Sequence, residues 1–299
     1  PVFLGNLCQQ LYNTVDSVIV GKFVGKQALA AVASSGNLIF MMTGFFMGLF
    51  IGAGIVIAQY FGARNYEKVR SAVHTDIAFA LCCGVLLTLL GVFFTPTLLT
   101  WMRTPADVLD TSILYFRLYF LGSLATILYN AGMGILQAVG DSRSPLYYLV
   151  ISSAVNVALD LLFVGAMDMG VAGAAVATVI SQVVSAVLCI IKLTRSDGPY
   201  RLEIKRIGFD LPLLKKITSQ GVPSGVQNSI IAIANVVVQS NINTFGSDAM
   251  AGCGSYSKVE GFGFLPITCF SMALTTFISQ NLGAKKYDRA KKGARIGIL

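Results

Sequence analysis

The chain has 299 residues, of which 55% are hydrophobic and only 12% charged, and its mean hydropathy is +0.72. This excludes an ordinary soluble globular domain and indicates an all-α, polytopic membrane protein, because several apolar stretches reach the ~20 residues a helix needs to cross ~30 Å of hydrocarbon. A net charge of +8 is compatible with nucleic-acid binding until its placement along the chain is considered.

The first apolar segment, residues 2–20, carries Gln9, Tyr12, Asn13 and Asp16 at three- and four-residue spacing, a polar stripe on one face of a helix. The second segment, residues 28–60, contains Gly44, Gly48 and Gly52, a small-residue ridge of the kind that lets membrane helices approach closely. A basic loop, residues 62–70, leads to a third span at 72–95. Pro96, Trp101 and Pro105 then read as an interfacial loop. A fourth span, residues 108–139, has Arg117 and Asn130 within it and ends in a tight polar turn at 140–145. The fifth runs to Gly165 and repeats the polar stripe with Ser152 or Ser153, Asn156 and Asp160. The sixth covers 171–193. After the longest polar connection, 194–216, whose end at 209–217 reads as a surface-lying stretch, come a seventh span at 217–245 and an eighth at 250–280. A last basic loop at 283–295 opens into another apolar stretch. The chain begins at Pro1 and stops inside that stretch, so it is expected to be a fragment of a longer protein carrying about eight of its spans.

With Lys192 at the end of the sixth span counted in the loop it opens, 17 lysines and arginines follow the even-numbered spans and three follow the odd ones. This bias places the even loops and the N-terminus in the cytoplasm and makes the basic charge a topology signal, with no nucleic-acid partner expected. All six cysteines fall in predicted spans, where small apolar packing is the simpler reading. His74 is the only histidine, so a histidine-based metal site has no second ligand of that type. No organic cofactor and no enzymatic activity are expected.

At an offset of 221 residues the chain resembles itself. Gly25, Ala28, Ala30, Ser34, Ile57, Gln59, Gly62, Ala63 and Tyr66 meet Gly246, Ala249, Ala251, Ser255, Ile278, Gln280, Gly283, Ala284 and Tyr287 without a gap. Spans one and two thus recur as seven and eight, which implies parallel repeats of six spans, a plan found among secondary transporters. The expected organisation is a first lobe over 1–193, a cytoplasmic linker over 194–216, and the start of a second lobe over 217–299. The repeat is chemically unequal: opposite Asp16 the second copy has Val237 or Val238.

Several motifs in order resemble the multidrug and toxic compound extrusion (MATE) transporters along essentially the whole chain: residues 9–16 (QQLYNTVD), 59–63 (QYFGA), 140–142 (GDS), 156–160 (NVALD) and 171–175 (VAGAA). The resemblance implies two six-helix lobes around a cavity that opens alternately to the two sides of the cell membrane. It also implies a protein, functional as a monomer, that exports bulky, often cationic compounds in exchange for H⁺ or Na⁺. It places the cation site at Asp16, Tyr12, Asn130, Asn156, Asp160 and Thr178, with Pro1 as a helix-bend proline.

Two buried carboxylates in a membrane are costly and functional by default. Asp16 and Asp160 cannot both hold uncompensated charge in a low dielectric, so a proton or a sodium ion is the expected guest. Asn130, Asn156, Thr178 and Tyr12 either supply oxygens and hydrogen bonds or make helix-packing contacts, and Pro1 either bends its helix or is an ordinary N-terminal proline. Glu260 and Lys258, inside the eighth span, either meet substrate in the cavity or pair and snorkel; Gln227, Asn235 and Asn13 are further cavity candidates. A lipid-linked oligosaccharide flippase shares the two-lobe plan, but only Lys258 offers the cavity cation it calls for. An intramembrane aspartyl protease using Asp16 and Asp160 is disfavoured because Val157-Ala158-Leu159, not a Gly-x-Gly motif, precedes Asp160.

Overall fold

The computed structural model describes the backbone of residues 2–102 and 104–298, and their side chains except at 26–35, 37, 258 and 298. Pro1 lies outside the described residues, as does the side chain of Lys258. Among the described residues the chain is all helix and connection: α1 (Val2–Phe23), α2 (Lys26–Gly62), α3 (Tyr66–Trp101), α4 (Ala106–Leu121), α5 (Ser123–Ala138), α6 (Arg143–Asp160), α7 (Gly170–Arg195), α8 (Leu211–Asn243), α9 (Ser247–Gly283) and α10 (Tyr287–Ile298). Six of these are long and apolar enough to cross a membrane, and α4 with α5 makes a seventh if the bent pair is one span. The 22 residues of α1 would also reach across the hydrocarbon, but its stripe of amides and Asp16 lowers its hydropathy. The fold is a polytopic helical bundle.

Helix ends follow local chemistry. The Asn65 side chain accepts the Lys68 amide at 3.2 Å and starts α3. Asp210 does the same for α8, accepting the Leu213 amide at 3.1 Å ahead of Pro212 in the first turn. Lys192 and Arg195 close α7, where cations complement the exposed carbonyls. The 221-residue offset recurs in the backbone: Gly25 and Gly246 both have positive φ (109° and 91°), as do Arg64 and Lys285 (56° and 58°). Such φ values favour glycine and cost a side chain some strain.

Three expectations are corrected. The fourth span is two helices, α4 and α5, bent by 49°. At their junction, Gly122 donates to Tyr119 O at 3.0 Å, and a Cβ there would meet Val179 Cγ2 at 2.7 Å, so α7 presses on the break. Pro96 and Trp101 do not form a loop but continue α3, which holds Pro96 internally and leaves Trp101 exposed at its last turn. The 209–217 stretch is no separate surface helix: once capped by Asp210, it becomes the opening turns of α8.

The helix α2 lies along both α8 and α9. It crosses α8 where Gly48 and Gly52 face Gly225 and Gly221, so close that a methyl at either α2 position would overlap the α8 backbone. A core of Leu87, Phe116, Phe120, Ile127, Ile135 and Leu193 joins α3, α4, α5 and α7. A smaller cluster, Ile19, Val20, Tyr115, Val164, Val171, Ala174 and Ala175, binds α1 to α4, α7 and the turn after α6. That second cluster fixes the end of α1 one turn beyond Asp16.

Candidate cation site

Asp16 lies in the buried face of α1 with Ile19 and Val20. Asp160 is the last residue of α6 and Asn156 stands one turn before it on the same face; both are fully buried. Directly after Asp160 the chain winds as a π-helix over Leu161–Ala166 before turning into α7. Wide turns of this kind inside helices are frequent at functional sites, because they re-aim the residues beside them.

The carboxyl groups of Asp16 and Asp160 meet in hydrogen-bonding contact across the α1–α6 interface. Two carboxylates have no hydrogen between them, so this contact becomes a bond only when one carries a proton or a cation bridges them. Among the described residues no other donor reaches either oxygen of Asp160, and neither the amide oxygen nor the amide nitrogen of Asn156 finds a protein partner. Buried polar atoms are otherwise almost always satisfied. Three oxygens and one amide nitrogen on adjacent turns of one helix, against a second carboxyl group, form a set suited to a proton or, through the oxygens, a small monovalent cation.

Around the pair stand residues of α1, α4 and α7. Tyr12, one turn before Asp16, hydrogen-bonds with Gln182 of α7 and neighbours Tyr119 and Asp16. Tyr115 is buried and neighbours both Asp16 and Asp160. Thr178 is buried beneath Gln182 on α7, but its hydroxyl donates to Ala174 O at 3.0 Å. Asn130 donates to Thr126 O of its own helix at 2.7 Å. The expected six therefore divide: Asp16, Asp160, Asn156 and Tyr12 converge on unsatisfied or interhelical polar contacts, while the donors of Thr178 and Asn130 are committed to their own backbones. Of the cavity candidates, Asn13 is half-buried and Gln227, Asn235 and Glu260 are exposed on α8 and α9.

Tyr115, Tyr119 and Gln182 are not legible as site residues in the sequence. The available signals were the four-residue spacing of Tyr115 and Tyr119, and of Thr178 and Gln182, which puts each pair on one helix face. Among the described residues no group of three or more His, Cys, Asp or Glu side chains is placed to hold a metal ion.

Comparison with known proteins places this geometry in context. The MatE family model matches residues 1–162 and 223–299. The "Probable multidrug resistance protein YoeA" of Bacillus subtilis (strain 168) is 32% identical over 100% of this chain and 66% of its own length. YpnP of the same organism, also described as a probable multidrug resistance protein, is 26% identical over 95% of this chain and 63% of its own. A solved structure described as the outward-facing conformation of a multidrug resistance MATE family transporter of the MOP superfamily superposes with a TM-score of 0.88 at 26% identity, covering 100% of this chain and 66% of that one. The chain thus spans about two thirds of the length of the relatives it matches.

Proposed function

Because the chain belongs to the MatE family of multi-pass membrane transporters, we propose that it exports bulky, often cationic organic compounds in exchange for a proton or a sodium ion. The observation that carries this reading is the buried Asp16–Asp160 contact, with no donor other than this pair itself for the oxygens of Asp160 and no protein partner for the amide of Asn156 among the described residues. In this account the ion enters between the two carboxyl groups, neutralises them, and lets α1 settle against α6 and α7. Asn156 contributes its amide oxygen, Tyr115 places a hydroxyl beside both carboxyls, and Tyr12, held by Gln182, ties α1 to α7. Ion binding and substrate binding then become alternatives for the same helix, which is the differential affinity that an exchange cycle needs. Thr178 and Asn130 act as second supports of α7 and α5, and Pro1 as the bend at the start of α1.

The protein works in the cell membrane as a monomer, with its N-terminus in the cytoplasm. Residues 1–193 form one lobe, 194–216 the linker and 217–299 the beginning of the other. Substrate meets the polar faces of α8 and α9 at Gln227, Asn235, Lys258 and Glu260, together with Asn13 of α1. The test is Asp16→Asn and Asp160→Asn in the intact protein, reconstituted in vesicles. Each variant should remain folded and lose ion-driven dye export, and export at the wild-type rate from both would refute the assignment.

A further inference from the structure

The only histidine of the chain, His74, sits 5% exposed on α3 and meets the connection between α7 and α8. Its Nε2 accepts the backbone N–H of Glu203 at 3.0 Å, and its Nδ1 lies 2.7 Å from the carbonyl oxygen of Arg70 one turn earlier. An acceptor at Nε2 and a carbonyl at Nδ1 together specify a single species, the neutral imidazole with its hydrogen on Nδ1. The next residue, Thr75, accepts the backbone N–H of Asp210 at 3.1 Å, and Asp210 in turn caps α8. Leu202 is buried and donates to Leu193 O at 2.9 Å, so the connection is held between α3 and the end of α7. The residue that reads the connection is therefore the one side chain type that changes charge near neutral pH.

We propose that His74 is a proton-operated latch: in its neutral form it clasps the connection at Glu203 to α3, and on protonation it releases that connection and the start of α8. A second hydrogen on the ring would face the Glu203 N–H, donor against donor, and no tautomer of the imidazolium relieves that opposition. The surrounding charges do not restore the clasp. Glu203 offers a carboxylate, paired with Arg70 at 3.6 Å and Arg206 at 2.8 Å, but a bond to it would take the ring away from the Glu203 N–H and so would not remake the clasp. Arg70, on the same helix, repels a charged ring. The carboxylates of Glu203 and Asp210 attract it and Asp76 is buried two residues along the same helix, but none of them is bonded to the ring in place of the N–H that Glu203 donates. Lys205 adds positive charge on the connection, and α8 brings Lys215 and Lys216 in its opening turns; α4, which also packs on α3, carries Asp107, Asp110 and Arg117, whereas α5 and the 38–62 part of α2 carry no charged residue. Acid on the side bearing this connection thus frees the junction between the α7 and α8 helices, whatever ion occupies the Asp16–Asp160 site.

The test is hydrogen exchange of the intact protein in lipid discs, followed by mass spectrometry of the peptide containing Glu203. Rates at about pH 7.5 and about pH 5.5 are corrected for intrinsic pH dependence, and the nitrogen shifts of the single histidine are recorded alongside. The wild type should lose roughly fivefold to tenfold in protection on acidification, the equivalent of one hydrogen bond, over the same interval in which the imidazolium signature appears. His74→Gln, which keeps an acceptor and a donor but does not titrate, should stay protected at both pH values, and His74→Ala should be unprotected at both. Wild-type protection that does not change while the ring becomes charged would overturn the proposal, and so would a His74→Gln variant showing the same acid-induced loss as the wild type.

Discussion

The crossing of α2 with α8 lends itself to a quantitative test. Gly52→Ala would place a methyl group where the backbone nitrogen of Gly221 already stands, and in the reciprocal direction a Cβ at Gly221 would lie 2.7 Å from both Cα and O of Leu49. An ordinary carbon contact needs about 3.4–4 Å, so the two helices must part by about 1 Å to accept the methyl group. Because the atoms met are backbone, no rotamer change relieves the overlap. Overpacking of this kind costs about 1–3 kcal/mol, and replacing a helical glycine by alanine returns about 0.5–1 kcal/mol, leaving a net loss between about 0 and about 2.5 kcal/mol, centred on about 1 kcal/mol. Gly54→Ala is the control, two residues along the same helix, where a Cβ would meet only Gly134 O at an unstrained 3.8 Å. Thermal unfolding of the purified protein in detergent, followed by intrinsic fluorescence, should show Gly52→Ala melting roughly 2–6 °C below wild type, with Gly54→Ala at or above it. If Gly52→Ala melts with or above its control, the close crossing of α2 and α8 is not what holds these helices together.

Tyr115→Phe removes a buried hydroxyl beside both site carboxyls while keeping the ring that packs with Ile19 and Val20. The half-saturating concentration of the coupling ion should rise about fivefold, roughly 1 kcal/mol for the loss of a buried polar group near the bound ion, without a change in melting temperature; an unaltered ion dependence would remove Tyr115 from the site. In the turn after α5, burial raises the Asp141 carboxyl, but the Ser144 hydroxyl and amide, Lys192 and the Arg143 amide outweigh it and hold the group below the usual carboxylate range. A depressed value means that this carboxylate stabilises the fold fully above its unfolded pKa and loses that contribution as pH falls through the folded one. Wild type should therefore destabilise in acid more steeply than Asp141→Asn, which forfeits the contribution at every pH; parallel pH–melting curves for the two proteins would contradict this.

Those elements whose side chains announce their surroundings were legible in the sequence. Gln9, Tyr12, Asn13 and Asp16 at helical spacing marked the polar face of α1, and Asn156 with Asp160 marked α6, because an amide or carboxylate inside an apolar run costs too much desolvation to be incidental. The repeat was legible too, and its offset now also relates backbone conformations: Arg64 and Lys285 share the left-handed region although neither is glycine. The bend between α4 and α5 was not, since Gly122 is one of 30 glycines and only the packing of Val179 against it singles it out. Pro96 suggested a loop because proline usually ends a helix, but α3 continues through it to Trp101. Tyr115 was invisible as a site residue for a related reason. Tyrosines near a span end read as interfacial anchors, and only the tertiary fold turns this one toward Asp16 and Asp160.

Whether an ion gradient alone drives export is the most direct test of the carboxyl pair. The intact protein, reconstituted into sealed vesicles loaded with a fluorescent cationic dye, is given a proton gradient and a sodium gradient in separate experiments, each with the membrane potential clamped. Dye movement should follow at least one imposed gradient, stop when that gradient is collapsed, and be absent for Asp160→Asn under both. Dye movement that proceeds equally with both gradients collapsed, or that persists undiminished in Asp160→Asn, would contradict the central claim that the buried carboxyl pair couples ion entry to export.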